Sequence, residues 1–335
     1  MTRGVDRDLA IFALKAALPY IRLYRGRVFV IKIGGAICGH PAAIRDLCAQ
    51  VSVLSELGIR VVLVHGGGPQ STALSHKLGL ETTFDGGRRV TDDKTLEVVV
   101  MTLNGTVNTS ILAACRAAHI PAIGLSGIDA GLLRAVRRPP QVRDVNGERQ
   151  MFDYGLVGDV VGVEIGVLKS LLDLGTLPVI SPISADDNGQ VLNINADTVA
   201  AMLARELKAE KLIFLTDTAG LLEDKNNPAT LVSYTDIRGL DALAAAGAVD
   251  TGMLPKVKAA TEALQGGVGR VHIVGYRGRS PLLVEIFTNE GAGTLIVKST
   301  NELLPGEQAF GGSANGAPTA PVTGDGSQTS ASAAL

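Results

Sequence analysis

The chain has 335 residues, of which 46% are hydrophobic and 19% charged, with a formal net charge of −2 at pH 7. This is long enough to bury the core of one large α/β domain or of two lobes, and the balance excludes global disorder and a strong electrostatic attraction to nucleic acid. Tryptophan is absent and aromatic residues make up only 4%, which argues against a base-stacking platform.

The first residues alternate charged and apolar side chains and offer no signal-type core. No apolar run reaches the roughly 18 residues of a spanning helix, so a cytoplasmic protein with no membrane partner is expected. Over residues 7–24, Leu9, Phe12, Ala13, Ala16 and Tyr20 form one stripe of a helix in which Pro19 predicts a kink or break. That stripe must be buried, either on its own domain or on another subunit.

The next segments alternate. "RVFVIKI" predicts a strand, residues 41–57 a helix, "RVVLVHGGGP" a strand and its exit, residues 70–77 a helix, residues 94–118 one long helix, and "IPAIGLSG" a strand. Runs of β-branched residues separated by helices predict a parallel sheet covered on both faces: a three-layer αβα sandwich with a mainly parallel central sheet, preceded by an N-terminal helix. Ligands of such folds bind beyond the carboxyl ends of the strands. Residues 134–160 read as an antiparallel excursion turning at Asn146-Gly147, a candidate flap. Strands and helices then resume with "LPVISPI", "VLNINAD", a helix over 198–207, "KLIFLTDTAG", helices near 237–246 and 254–264, "RVHIVG" and "TLIVK". After Leu303 the composition collapses into Gly, Ser, Ala, Thr and Pro, and residues 301–335 are expected to form a disordered tail.

Three strand exits carry glycine: "KIGG" (32–35), "HGGGP" (65–69) and "TDTAG" (216–220). Any one of them could be a tight βα turn, but two in adjacent strands predict an anion site built from backbone N–H groups. Neither G-x-x-x-x-G-K-[ST] nor a correctly placed G-x-G-x-x-G is present. Lys32 either snorkels to the surface or reaches into the same crevice. Lys256 starts a helix, where its charge opposes the dipole unless an anion neutralises it; the alternative is a solvated first-turn lysine. Asn193, Asn195 and Asp197 recur with period two before a helix, and Asp197 could be no more than an N-cap. Arg89 supplies a planar fork for a carboxylate. Together these residues suit phosphoryl transfer, which needs cations and N–H donors more than a protein nucleophile. The five histidines are scattered, with His65 assigned to supporting the glycine turn, and Cys38, Cys48 and Cys115 read as reduced core thiols.

From about Leu9 to Val297, the segments "ALPYIRLYRGRVFVIKIGG", "VVLVHGGGP", "GGRRVTDDKTLEVV", "GLSGIDAGL", "LNINADTVA", "KLIFLTDTAGLL", "TGMLPKVKAA" and "LLVEIFTNEGAGTLI" resemble, in order, the amino acid kinase family. The resemblance implies that ATP phosphorylates the γ-carboxylate of N-acetyl-L-glutamate to an acyl phosphate, a step of arginine biosynthesis. It assigns Lys32 and Lys256 to the transferring phosphoryl group, Asp197 to holding both lysines, and Gly34, Gly35 and Asp217 to ATP. Gly67, Gly68, Arg89 and Asn193 fall to the amino acid. On this reading Gly34 and Gly35 are bare so that phosphate oxygens can touch the chain. Mg2+ rides on the nucleotide, and no protein ligand is assigned to it.

The resemblance further implies an interlacing helix over 1–25 that joins dimers into a homohexamer, a trimer of dimers. The kinase domain then covers 26–300, with amino acid bound by 26–185 and ATP by 186–300. L-Arginine is the expected inhibitor, at Tyr20, Lys211, His272, Glu285 and Gly291. Two rivals are a kinase for carrier-bound aminoadipate, disfavoured by Gly68-Pro69, and a non-catalytic arginine-sensing or acyltransferase-associated module.

Overall fold

The computed structural model describes residues 7–303 apart from 86–87, 146–147, 225 and 289–290. The chain opens with helix α1 (Arg7–Tyr24), then strand β1 (Val28–Ile33), a single turn α2 (Gly35–Cys38), α3 (Pro41–Glu56), β2 (Arg60–His65) and α4 (Gly68–Lys77). A ribbon of β3 (Phe84–Asp85) and β4 (Arg88–Arg89) leads to α5 (Asp93–Val100), a π-helical segment (Met101–Val107), α6 (Asn108–Ala117) and β5 (Ala122–Ser126). Four strands follow: β6 (Leu133–Arg137), β7 (Gln141–Val145), β8 (Glu148–Phe152) and β9 (Gly158–Val163). After them come α7 (Gly166–Asp173), β10 (Leu177–Ser181), β11 (Ile183–Ala185), β12 (Val191–Asn193), α8 (Ala196–Glu206) and β13 (Lys211–Thr216). The last elements are β14 (Tyr234–Asp236), α9 (Ile237–Ala245), α10 (Leu254–Gln265), β15 (Arg270–Gly275), α11 (Pro281–Phe287) and β16 (Gly293–Val297).

Eight strands form one sheet in the order β14-β16-β15-β13-β1-β2-β10-β5. Every pairing is parallel except β15 with β16. Side chains alternate across a strand, so the two faces of β1 serve different cores. Phe29, Ile31 and Ile33 join α3 and α6, whereas Val30 faces α8 and α10. Lys32 has the parity of Val30. The sequence period therefore aims its ammonium at the α8 layer, where the carboxylate of Asp197 lies.

The predicted architecture is present, with corrections in detail. Of the kink or break expected at Pro19, the break is absent: helix α1 continues through it. Its last turns pack on the body: Tyr20 lies edge-on to Phe287 at 6.2 Å and Tyr24 edge-on to Phe29 at 5.2 Å. Ile11, Leu14 and Leu18 stay exposed. The long helix predicted over 94–118 carries the π segment in its middle, and short apolar stretches concealed α11 and β14 from periodicity.

Contrary to the sequence reading, Asp93–Ala117 is long and apolar enough to cross a membrane, by length and composition alone. Half of its apolar window is buried in this fold, and the Asn108 amide on it hydrogen-bonds to the Val179 carbonyl of β10 at 3.1 Å. This is how a core helix is held. The antiparallel excursion is present as β6 to β9, while its Asn146-Gly147 turn lies outside the described residues. Packing continues through Leu303, which is buried with Leu295 and Val297; residues 304–335 of the expected tail lie outside the described residues. The three cysteines are free and buried, with the Cys48 and Cys115 Sγ atoms 3.7 Å apart.

Candidate active site

A cavity of about 370 Å³ opens at the carboxyl ends of β1 and β2, between the β12–α8 junction and the start of α10. Lys32, near the end of β1, is only 6% exposed, and its Nζ lies 2.7 Å from Oδ1 of Asp197. It does not snorkel to the surface. Lys256, in the first turn of α10, places Nζ 3.7 Å from Oδ2 of the same carboxylate and donates to the Gly252 carbonyl at 3.3 Å. Residues 32, 197 and 256 thus converge from three elements.

A buried ammonium, Lys32, and a half-buried one, Lys256, share one carboxylate, which leaves a net positive charge at the cavity wall. An uncompensated buried charge is costly, so the arrangement is poised for an anion. Burial is the largest influence on Asp197 and opposes its ionisation. The combined fields of Lys32 and Lys256 outweigh it and hold the carboxyl below the usual carboxylate range. Burial pushes the Lys256 ammonium down, partly offset by Asp197 and by the field of Asp217, while Lys32 adds to the decrease.

Asp197 is not the N-cap of α8. That role belongs to Asn195, whose side-chain oxygen accepts from the Asp197 and Thr198 N–H groups at 2.8 and 3.1 Å. The cap frees the Asp197 side chain for the lysines.

The glycine exits form the opposite wall. The amides of Gly35, Gly67 and Gly68 donate to no described group. A Cβ built on Gly35 would lie 3.3 and 3.2 Å from the Gly67 and Gly68 nitrogens, so the three donors are close together, a concave nest of the kind that binds anions. The bareness of "GG" has a further cause that the sequence hides. A Cβ on Gly34 would sit 3.0 Å from the Leu215 carbonyl oxygen, and one on Gly35 would sit 2.7 Å from Cδ of Pro69. The protein's own backbone and ring need that space; Gly34 itself does not line the cavity.

Arg89 closes the far side. It is buried, stacked over Phe84 with the guanidinium carbon 4.7 Å from the ring centroid, and donates through Nη2 to the Gly68 carbonyl and to Thr72 Oγ1 at 3.0 and 2.6 Å. Its buried Nη1 has no hydrogen-bond partner among the described residues. A buried donor left unpaired is costly, so this one is available to a ligand oxygen. Asn193 also lines the cavity and is steadied by donating to Thr91 Oγ1 at 3.3 Å.

Asp217 is not brought into this cavity. It is exposed just after β13, close enough to act electrostatically on Lys256. Sequence reasoning missed Arg138, which lines the cavity, is 8% exposed, and grips Asp159 with Nε 3.1 Å from each carboxylate oxygen. Nothing in the basic run "RAVRRPPQVR" sets it apart from its neighbours.

The five residues expected to hold arginine gather elsewhere, at the amino end of β13. Lys211 Nζ lies 2.9 Å from His272 Nε2, and His272 Nδ1 lies 2.6 Å from Glu285 Oε1. An ammonium only donates, so Nε2 accepts and the Nδ1–H donates to the carboxylate. Oε2 of Glu285 accepts from the Ala292 and Gly293 amides at 2.6 and 3.0 Å. Burial opposes the ionisation of Glu285, but these donors and Lys211 prevail and lower its pKa. Gly291, at φ +63°, packs on the same carboxylate, where a Cβ would lie 2.9 Å from Oε2. Tyr20 borders the group through Phe287 and Tyr24, the latter lying under the Lys211 ammonium at 5.2 Å.

Comparison with known proteins agrees with this geometry. An acetylglutamate kinase of Heliobacterium modesticaldum is 44% identical over 285 residues, covering 85% of this chain and 97% of that protein. A chloroplastic acetylglutamate kinase of Arabidopsis thaliana is 42% identical, covering 86% and 80%. Among solved structures, N-acetylglutamate synthase of Neisseria gonorrhoeae complexed with coenzyme A and N-acetyl-glutamate superposes with a TM-score of 0.74 at 29% identity. The match covers 87% of this chain but spans 64% of that one. Carbamate kinase of Giardia lamblia, TM-score 0.58 at 17% identity, shares the fold. The model of the amino acid kinase family matches residues 27–275, and with these relatives it establishes that the chain belongs to the amino acid kinase family.

Proposed function

We propose that this protein transfers the γ-phosphoryl group of ATP to the γ-carboxylate of N-acetyl-L-glutamate, giving N-acetyl-L-glutamyl 5-phosphate for arginine biosynthesis. The observation that carries the reading is the Lys32–Asp197–Lys256 group at a cavity also lined by glycine amides and by an arginine nitrogen that lack partners among the described residues. A substrate carboxylate oxygen forms its bond to the γ-phosphorus as the bond from phosphorus to the β–γ bridging oxygen breaks. ADP departs with that electron pair and no proton has to move. Charge spread over the transferring group is met by Lys32 and Lys256 with Asp197 holding them, which is electrostatic and positional catalysis. Arg89, Asn193, Gly67 and Gly68 hold the acylated amino acid, and Gly35 attends the nucleotide; the Gly34 N–H is taken by the Leu215 carbonyl at 3.0 Å, and Asp217 acts from outside the cavity through its field on Lys256. Mg2+ enters on the ATP phosphates, as a small hard cation does. Residues 26–185 supply most of the amino acid side and 186–300 most of the nucleotide side, with Gly35 and Asn193 serving across that division.

The test is purified protein with Mg-ATP, N-acetylglutamate and hydroxylamine, which traps acyl phosphate as hydroxamate. Hydroxamate is expected with N-acetylglutamate. Its absence with every acylated acidic amino acid leaves a non-catalytic module.

We further propose a cytoplasmic homohexamer inhibited by L-arginine. The exposed Ile11, Leu14 and Leu18 on α1 support burial of that helix against another copy, and the Lys211–His272–Glu285 cluster beside Tyr20 supports a charged, amphiphilic effector. Deleting residues 1–24 is expected to abolish the hexamer in sedimentation and to weaken arginine inhibition. A truncated protein that still sediments as a hexamer removes this role from α1.

A further inference from the structure

The reaction described above makes no use of His65, a fully buried imidazole at the end of β2. Its Nδ1 lies 3.1 Å from the Gly66 carbonyl oxygen, and its Nε2 lies 3.1 Å from Nδ2 of Asn108, the first residue of α6 after the π segment. The orientation of that amide is fixed independently. Nδ2 also faces the Val179 carbonyl at 3.1 Å, and a carbonyl can only accept, so Nδ2 is the donor to both. Nε2 of His65 is therefore an acceptor, the ring proton sits on Nδ1, and Nδ1–H donates to Gly66.

The assembly is built around this contact. A Cβ on Gly124 would overlap the Asn108 side-chain oxygen, so glycine in β5 vacates the place the amide occupies. The group thus spans β2, β10 and β5, three successive strands of the sheet. Burial pushes the imidazole pKa down to about 4, against the hydrogen bond to Gly66, which keeps the ring neutral near pH 7.

In a trans peptide the carbonyl oxygen and the following N–H point in opposite directions. Holding the Gly66 oxygen on the imidazole therefore turns the Gly67 N–H away from the ring, on the side where Gly67 borders the cavity. Glycine offers no side chain to resist rotation of this peptide, so the hydrogen bond sets its orientation. We propose that Asn108 and His65 are positioning residues: Asn108 fixes the imidazole tautomer, and the imidazole fixes the Gly66–Gly67 peptide so that its N–H faces the substrate carboxylate. The last element rests on the carboxylate-kinase reading.

Two measurements test it. Nitrogen-15 NMR of histidine-labelled protein near neutral pH is expected to show His65 protonated on Nδ1 alone, and Asn108→Leu is expected to shift it toward the Nε2 tautomer. A wild-type ring found in the Nε2–H form or doubly protonated overturns the proposal, whether or not the enzyme acts on N-acetylglutamate.

In the hydroxamate assay, His65→Leu and Asn108→Leu are expected to lower kcat about 10–100-fold, the range for supporting partners of a reactive site, with the KM for ATP little changed. His65→Asn keeps an N–H at the Nδ1 position and is expected to recover most of that loss. His65→Gln places its amide at the Nε2 position and is not. Equal losses for His65→Asn, His65→Gln and His65→Leu mean the ring serves packing alone, and the proposal fails. A wild type that forms no hydroxamate counts against the substrate reading only, since the tautomer measurement still decides the relay.

Discussion

Lys32→Ala is expected to lower kcat about a hundredfold to a thousandfold, the cost of one preorganised donor aimed at transition-state charge, with a much smaller change in the KM for the acylated amino acid. Lys32 is fixed by Asp197 at 2.7 Å and is nearly inaccessible to solvent, so a mobile water does not reproduce its fixed charge and aim. Lys256 still pairs with Asp197 in the variant, and the native circular dichroism spectrum is expected to persist. Steady-state kinetics beside that spectrum separate chemistry from folding. Undiminished turnover removes Lys32 from the reaction.

Asp197→Ala acts on both levels at once. It leaves two ammonium groups side by side in a buried wall, and breaking a buried pair from one side costs about 3–5 kcal/mol. Activity falls as well, because neither cation is aimed any longer. The pH dependence identifies the cause. The folded-state pKa of Asp197 is depressed, so its contribution to stability is complete above the ordinary carboxylate value of about 3.9 and is lost as pH falls through the lower folded value. In urea unfolding, the stability gap between wild type and variant is therefore expected to be wide near neutrality and to narrow in acid. A gap of constant width assigns the loss to packing instead.

The site was legible in the sequence where chemistry is local. The place of Lys32 just before the glycines of "KIGG" brought it to the crevice as one of two open positions, and the spacing in "NINAD" put amides and a carboxylate at a helix start. Where partners come from distant segments, the sequence was mute. Nothing at Gly34 announces the Leu215 carbonyl, nothing at Arg138 announces Asp159, and the capping role passed from Asp197 to Asn195 because only three-dimensional placement tells which side chain points back at the helix. Periodicity found α1 over residues 7–24 but failed at α11, which is only seven residues long. It failed too within Met101–Val107, since a π segment has no period distinct enough to read.

The sheet is undivided, and its midline has a mechanical consequence. Strands β2, β10 and β5 lie on one side of β1, and β15, β16 and β14 on the other side of β13. The halves meet along a ladder of five paired positions in which Lys32 stands opposite Phe214. Opening the cleft must therefore flex a continuous hydrogen-bonded plate where a jointed protein would swivel on a tether. The ammonium at position 32 stands on the ladder that joins the two halves.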